Sequence, residues 1–154
     1  MASRQPIYLN PSAATERCDP VDTLGPRQLH QSLRGYGPTP LVNLPDLASD
    51  LGVRAVFLKD ESNRFGLPAF KILGAAWGCY RALASLYGLS ISSPTRSSLD
   101  ELASRAQQAG VILVAATEGN HGRAVAYMAN KVLGVRAIIF VPEPMHESTQ
   151  KLIA

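Results

Sequence analysis

Two strongly apolar runs, separated by a segment of helical periodicity, constrain this chain more than any other feature of its sequence. The runs cover residues 111–116 and 136–141, and each has the length of a strand buried in a parallel sheet. Between them, Val125 and Met128 begin a pattern of helical spacing, and Gly134 stands where a helix would end. The order strand, helix, strand predicts a βαβ unit and therefore an α/β fold.

Helical spacing also marks two segments before the βαβ unit. Apolar residues recur every three or four positions from Leu73 to Tyr87, and Gly88 follows as a left-handed cap, which predicts a helix. Ser98 and Glu101 stand three positions apart, which predicts a second helix that begins with a capping box. The apolar face of this second helix comprises Leu99, Leu102, Ala103 and Ala106.

Shorter elements are expected nearer the amino terminus. Pro45 at a first helical position and Gly52 just afterwards predict a short capped helix. Residues 54–58 have the composition and length of a strand, and the charged residues 59–61 follow it. A strand that leads into a charged loop is typical of a functional segment.

The two ends of the chain differ from its middle. Residues 1–35 contain four prolines among polar residues and no sustained apolar period, so an irregular arm is expected there. Residues 36–154 are assigned to the folded region, with the βαβ core at about 98–154. A last helix opens near Ser148 and stops after about two turns, which predicts an incomplete fold that is truncated within a helix.

Charge and cysteine content argue against several classes of protein. The 154 residues carry a net charge of +3 with scattered basic residues, which does not indicate nucleic-acid binding. No stretch approaches the roughly 18 apolar residues of a membrane span, and the first residues do not match a signal peptide. Cys18 and Cys79 match neither a zinc site nor a redox pair. A cytoplasmic protein without membrane or nucleic-acid partners is expected.

Lys71 is the first candidate for chemistry. It is one of only four lysines, and its neighbours in the sequence are almost wholly apolar. Desolvation favours the neutral amine, which is the form that attacks an aldehyde, so Lys71 could act in covalent catalysis. The alternative is a lysine at the start of a helix whose amine extends into solvent.

The second candidate cluster, residues 117–122, lies between a buried strand and a helix. Open α/β sheets bind ligands at this edge, and the free amides of a helix start favour anionic or polar groups. Asn120 and His121 add side-chain donors and acceptors. Alternatively, Gly119 and Gly122 form only a tight turn, and His121 is a loop histidine. Neither a nucleotide triphosphate loop, nor a serine-hydrolase motif, nor metal-ligand spacing occurs, so no metal is expected.

Four motifs occur together in order, at residues 38–41 (Pro-Thr-Pro-Leu), 59–62 (Lys-Asp-Glu-Ser), 69–71 (Ala-Phe-Lys) and 117–122 (Thr-Glu-Gly-Asn-His-Gly). With this combination the chain resembles, from about Tyr36 to its end, the fold-type II pyridoxal-phosphate enzymes of the tryptophan synthase β-like superfamily. Residues 59–74, especially Arg-Phe-Gly-Leu at 64–67, are more similar to diaminopropionate ammonia-lyases than to threonine dehydratases. The resemblance implies the N-terminal part of a three-layer α/β fold with a parallel sheet.

The resemblance also implies roles for the candidate residues. Lys71 would hold pyridoxal 5′-phosphate covalently and then carry a proton, and Asn120 would hydrogen-bond the phenolic oxygen of the cofactor. Glu118 takes the place of an acidic proton acceptor that is usually Asp in such ammonia-lyases. The residues beside the substrate carboxylate would be Gly119, His121 and Gly122. The implied reaction eliminates ammonia from 2,3-diaminopropionate or a similar amino acid and yields a 2-oxo acid.

Three interpretations stay open, because in such enzymes the phosphate-binding loop and the second acidic base belong to the C-terminal part. The chain could contribute to an active lyase, alone, as a homodimer or with a complementing chain. It could instead be an inactive relative that serves as a binding or regulatory fragment. Thirdly, the turn at residues 119–122 could bind another phosphorylated small molecule without covalent chemistry, in which case Lys71 would be dispensable.

Overall fold

A computed structural model describes residues 24–153 of the chain. The helices are α1 (Leu24–Ser32), α2 (Pro45–Leu51), α3 (Lys71–Leu86), α4 (Arg96–Gln108), α5 (Asn120–Tyr127), a π-helix (Met128–Leu133) and α6 (Glu147–Ile153). The strands are β1 (Leu41–Asn43), β2 (Phe57–Lys59), β3 (Ile112–Ala116) and β4 (Arg136–Phe140). Within the described range, every helix is too short or too polar to cross a membrane. Cys18 lies outside that range.

The predicted βαβ unit is present. β3 and β4 pair in parallel, in register from Ile112 opposite Arg136 to Ala116 opposite Phe140. α5 and the π-helix form the crossover between the two strands. Gly134 has a φ of 66° and ends the helical segment in the left-handed conformation. The parallel pairing and the helix stop at Gly134 are therefore confirmed.

The parallel sheet is covered on one face only. Ala115 and Ile139 are half-buried against the helices, whereas Val114 is 60% and Phe140 62% exposed. Successive side chains of a strand point to opposite faces, so alternate residues lie on the uncovered side. The prediction that these strands are buried on both faces is wrong for the part of the chain that the structure describes.

α3 is the central helix of the core and packs against α1, α4 and α5. Its buried face includes Ala76, Tyr80 and Leu83, as the helical spacing predicted. The helix begins at Lys71, slightly earlier than expected, and Gly88 follows its end with a φ of 65°. The position and inward face of this helix are confirmed.

α1 corrects the prediction of an irregular arm over residues 1–35. Leu29 in this helix is fully buried, and the Nε2 of His30 donates a hydrogen bond of 2.8 Å to the carbonyl oxygen of Leu73 in α3. The arm has too few apolar positions to show helical periodicity in the sequence, and packing against α3 stabilises the helix. The arm before α1 lies outside the described residues.

α4 begins with a capping box, but not with the predicted one. Thr95 is the N-cap: its Oγ1 accepts from the backbone N of Ser98 at 3.1 Å, and its own N donates to the Ser98 Oγ at 2.9 Å. Glu101 pairs instead with Arg105. The Ser98–Glu101 box is wrong because the helix starts before Ser98. The apolar face predicted for this helix is buried, at Leu99, Leu102, Ala103 and Ala106.

β1 precedes α2 in the chain and β2 follows it, and the two strands form a separate antiparallel pair. Pro45 is the first residue of α2, and Gly52 ends it with a φ of 64°, as predicted. β2 lies at Phe57–Lys59 rather than at residues 54–58, because the backbone that pairs with it is Leu41–Asn43. At the other end, α6 begins at Glu147, beside the predicted Ser148.

Candidate active site

The carboxyl ends of β3 and β4 form one edge of the candidate site. The backbone N of Thr117 donates to the carbonyl oxygen of Phe140 at 2.9 Å, which keeps the strands paired just beyond β3. A cavity of about 400 Å³ opens at this edge, and Thr117, Glu118 and Pro142 are among its lining residues. Glu118 is exposed there. The predicted acidic residue thus lies at the edge where open α/β sheets bind ligands.

The start of α5 places further candidates beside that edge. Asn120 is the first residue of this helix and is exposed, and no side chain caps the helix start. The first amides of a helix have no intrahelical acceptor and carry partial positive charge. The helix start therefore offers backbone donors to an anionic group, as the sequence predicted for residues 119–122.

Gly122 differs from the other residues of this cluster because it faces inward. A β-carbon at this position would lie 2.9 Å from the Cγ2 of Ile139 and 2.9 Å from the Cγ2 of Thr117. The absence of a side chain thus lets α5 lie close against the two strands. Gly119 has open space around it and a φ of 169°, an extended conformation that any residue adopts. Gly122 is therefore required for close packing rather than for a tight turn, and neither the space around Gly119 nor its φ requires a glycine.

Lys71 is the first residue of α3, and its side chain is exposed. Its Nζ lies 5.2 Å from the ring centroid of Phe70, while the next residue, Ile72, is fully buried. Consecutive residues of a helix point in different directions, so apolar neighbours in the sequence do not surround the amine. The predicted desolvation of Lys71 is therefore wrong for the described residues, and the solvent-directed alternative matches the structure.

A second cavity lies between α3, β3 and α5. It has a volume of about 250 Å³, and Gly74 and Gly78 of α3 line it opposite Leu113 of β3 and His121 of α5. Lys71 lies one helical turn before Gly74, and Asn120 immediately precedes His121. α3 and α5 pack together, and each contributes to the cavity a residue close in the chain to a candidate: Gly74 for Lys71 and His121 for Asn120.

Arg64, the first residue of the Arg-Phe-Gly-Leu motif, has a structural role that sequence reasoning did not predict. It is only 6% exposed, and its Nε and Nη2 donate to the two carboxylate oxygens of Glu61 at 2.7 and 2.8 Å. The Nη2 also contacts the Oγ1 of Thr39 at 3.0 Å, and the Nη1 donates to the carbonyl oxygen of Gly37 at 2.6 Å. The guanidinium lowers the pKa of Glu61 from 4.5 to about 2. This network joins the motifs at residues 38–41 and 59–62. Their joint occurrence in the sequence was the signal that could have indicated this contact.

The loop between Arg64 and Lys71 begins with a strained turn. Phe65 has a φ of 57° and Gly66 a φ of 76°, and Arg64 and Leu67 exchange backbone hydrogen bonds of 2.9 and 3.0 Å across them. A bulky residue in the left-handed region is a conformational outlier that surrounding contacts must hold. The Phe65 ring lies 6.1 Å from the Tyr127 ring, centroid to centroid. The loop that leads to Lys71 is thereby packed against α5.

Comparison with known proteins identifies the class of protein. The sequence profile of the family described as pyridoxal-phosphate dependent enzymes matches residues 33–154. This match covers most of the chain, and the chain belongs to that family. The cofactor of the family is pyridoxal 5′-phosphate.

Within the family, the chain is similar to diaminopropionate ammonia-lyases. It is 43% identical over 117 residues to that enzyme from Escherichia coli strain K12, a match that covers 76% of this chain and 28% of the enzyme. The crystal structure of the apo Escherichia coli enzyme superimposes with a TM-score of 0.72 at 39% identity, covering 84% of this chain and 34% of that one. The complex of that enzyme with D-serine has the same TM-score and identity, with 84% and 32% covered. The chain spans little more than a quarter of the length of its curated relative.

The described residues fit the reactive end of pyridoxal phosphate. The exposed amine of Lys71 is open to an aldehyde, and the exposed amide of Asn120 offers a donor and an acceptor to a ring substituent. The uncapped start of α5 supplies donors suited to an anionic group. Lys71 and Asn120 do not line the cavity between α3 and α5 themselves, but they lie close in the chain to Gly74 and His121, which do.

Proposed function

We propose that this chain forms the lysine-bearing part of a pyridoxal-phosphate-dependent carbon–nitrogen lyase. The substrate class would be 2,3-diaminopropionate or a similar amino acid, and the products a 2-oxo acid and ammonia. One observation carries the proposal: Gly74 and His121, which line one cavity, adjoin the helix starts that carry Lys71 and Asn120. The 43% identity to a diaminopropionate ammonia-lyase supports the choice of reaction.

Each residue would have a separate task. When bound, pyridoxal phosphate supplies a ring that accepts the electron pair left on the α-carbon of the amino acid. The Nζ of Lys71 would hold the cofactor and move a proton to or from that carbon, and the amide of Asn120 would hydrogen-bond the phenolic oxygen of the ring. The carboxylate of Glu118, which lines the separate cavity at the carboxyl ends of β3 and β4, would accept a proton. The backbone of residues 119–122, including Gly119, His121 and Gly122, would bind the substrate carboxylate.

The exposed face of the sheet supports a further part of the proposal. Val114 and Phe140 would be buried if additional helices covered the outer face of β3 and β4. We therefore assign the sheet to a three-layer fold of the tryptophan synthase β-like type. A cytoplasmic location and assembly as a homodimer or with a complementing chain also stay predictions.

The cofactor assignment is tested by titrating the purified chain with pyridoxal phosphate, followed by borohydride reduction and peptide mapping. We expect about one equivalent of label on Lys71 and a new absorption band, both lost in Lys71→Ala, because a primary amine placed at the site reacts preferentially with the aldehyde. Lys151→Ala is the matched control, since it removes another exposed lysine and leaves the candidate site intact. Label spread over several lysines, or no label, would contradict the assignment.

An assay of pyruvate release distinguishes the lyase from an inactive fragment. We expect residues 1–154 alone to release no measurable pyruvate from diaminopropionate, because in the enzymes that the chain resembles the loop that binds the cofactor phosphate belongs to the C-terminal part. When a second chain that supplies the C-terminal part is added, we expect pyruvate to be released. The Glu118→Gln variant should release less pyruvate under the same conditions. Steady turnover by the purified chain alone would contradict the first expectation.

A non-covalent binding fragment is the second candidate, and the exposure of Lys71 favours it. The amine of Lys71 is directed to solvent and is not enclosed by the described residues. This candidate predicts that Lys71→Ala keeps its affinity for pyridoxal phosphate. The lyase proposal predicts that the affinity falls together with the absorption band.

A further inference from the structure

A third cleft lies where the end of α1, the start of α4 and the π-helix meet. It has a volume of about 270 Å³. Its lining residues are Leu33, Arg34, Arg96, Tyr127, Lys131 and Val132. None of these residues belongs to the candidate active site, so the cleft is a separate feature of the molecule.

The cleft carries positive charge that ion pairs compensate only in part. Three of its six lining residues are cationic and none is acidic. Within residues 24–153, Arg34 and Lys131 form no ion pair, and Arg96 pairs with Asp100 at 3.0 Å. The carbonyl end of α1 contributes a partial charge of about −0.5, and the amide start of α4 about +0.5, so the two helix ends roughly cancel. The side chains decide the sign, and the cleft favours an anion.

The backbone around Lys131 is unusual in a way that points to a site. Lys131 and Val132 belong to the π-helix, a rare conformation that is found frequently at functional positions. The carbonyl oxygen of Leu133, at the end of this segment, accepts from the Nε2 of Gln107 in α4 at 2.7 Å. The π-helix is thus fastened to the helix that carries Arg96.

We propose that this cleft binds a small anion that carries phosphate groups. The guanidinium groups of Arg34 and Arg96 can each donate two parallel hydrogen bonds to phosphate oxygens, and Lys131 adds a point charge. The volume of about 270 Å³ leaves room for a diphosphate or a small phosphate ester. Leu33 and Val132 form an apolar part of the wall that suits an organic group.

The test is calorimetric titration of the whole chain with pyrophosphate, with glycerol phosphate and with malonate at constant ionic strength. Saturable 1:1 binding of pyrophosphate or glycerol phosphate is expected, and the tighter of the two distinguishes a diphosphate from a phosphate ester. Arg34→Gln and Lys131→Gln should each weaken it about tenfold or more, because each removes charge-assisted hydrogen bonds. Arg81→Gln, an exposed cation of α3 outside the cleft, is the matched control and should leave the affinity unchanged.

Several outcomes would overturn this proposal. They are the absence of saturable binding, an equal loss in Arg81→Gln, and binding of malonate as tight as that of both phosphate compounds. Lys71→Ala should not change the affinity, since Lys71 lies outside the cleft; a loss there would move the anion to the candidate active site. If Lys131→Gln fails to fold by circular dichroism, Lys131→Arg keeps the charge and should bind within about threefold of the unaltered chain.

Discussion

Arg64 joins segments of the chain that lie far apart in the sequence. Its guanidinium donates to Glu61, Thr39 and Gly37, so its buried charge has a nearly complete set of partners. A buried charge that lost those partners would be strongly destabilising, because desolvation would then be uncompensated. The same network holds the loop that leads to Lys71, and this gives the Lys-Asp-Glu-Ser motif a structural role.

The titration of Glu61 makes stability depend on acidity. Its pKa is lowered to about 2 by the Arg64 guanidinium, and a carboxyl with a lower pKa in the folded chain stabilises the fold at higher pH. That stabilisation is present above the unfolded value of 4.5 and is lost as the pH falls through the folded value. We expect the free energy of unfolding to drop between about pH 5 and pH 2, and Glu61→Gln to remove part of the drop.

Urea unfolding at a series of pH values measures this dependence. Asp100→Asn is the control, since Asp100 pairs with Arg96 on the surface, where its side chain is 58% exposed, and such pairs contribute little. Its curve should follow that of the unaltered chain. If the free energy of unfolding of Glu61→Gln fell with pH as steeply as that of the unaltered chain, the pair with Arg64 would not contribute to the pH dependence.

Gly122 and Gly119 provide a matched test of close packing. Gly122→Ala should lower the free energy of unfolding by about 1–3 kcal/mol, because its β-carbon would crowd Ile139 and Thr117 at 2.9 Å. Gly119→Ala introduces the same methyl group into open space and should change stability by less than about 0.5 kcal/mol. Thermal unfolding of both variants measures the difference, and equal midpoints would refute the packing role.

At the scale of elements, the start of a helix is harder to predict than its buried face. Residues 92–98 contain several hydroxyl side chains, each suited to an N-cap. The structure selects Thr95, whose extended backbone, with φ of −122° and ψ of 170°, meets the geometry of a cap. Apolar periodicity fixes which side of α4 faces inward, whereas the choice among equivalent caps depends on how the preceding connector is folded.

The corrected cap can be tested directly. Thr95→Ala should cost about 1 kcal/mol, because the amide of Ser98 loses its acceptor. Glu101→Gln, a change at the residue that the sequence pattern indicated, should cost less than about 0.5 kcal/mol, since it removes only an exposed pair with Arg105. Chemical unfolding of both variants measures these changes. A larger loss of stability in Glu101→Gln than in Thr95→Ala would support the Ser98–Glu101 box instead.

At the scale of the whole molecule, the two faces of the parallel sheet differ in what they contact. Ile139 packs against the helices, whereas Phe140 beside it is 62% exposed. Phe140→Ser should therefore cost less than about 1 kcal/mol, compared with about 2–4 kcal/mol for Ile139→Ser, which removes core contacts. Binding of a fluorescent apolar dye should fall in Phe140→Ser. A larger loss of stability at Phe140 than at Ile139 would show that the outer face is covered.

The sequence by itself determined the elements whose signals are local. The buried faces of α3 and α4, the parallel pair of β3 and β4 and the helix ends at Gly52, Gly88 and Gly134 follow from spacing and from glycine conformations within a few residues. Its ordered motifs also pointed to the pyridoxal-phosphate enzymes, and the family match confirms that resemblance. Such patterns can be read from the sequence alone because helix and strand geometry repeats over short distances.

Only the tertiary structure decided which side chains meet. It placed Lys71 in solvent despite its apolar neighbours, buried Arg64 against Glu61 and set Gly122 against β3 and β4. It also gathered Arg34, Arg96 and Lys131 into one cleft. These contacts join residues that are distant along the chain, and burial, hydrogen bonding and close approach arise only when packing brings those residues together.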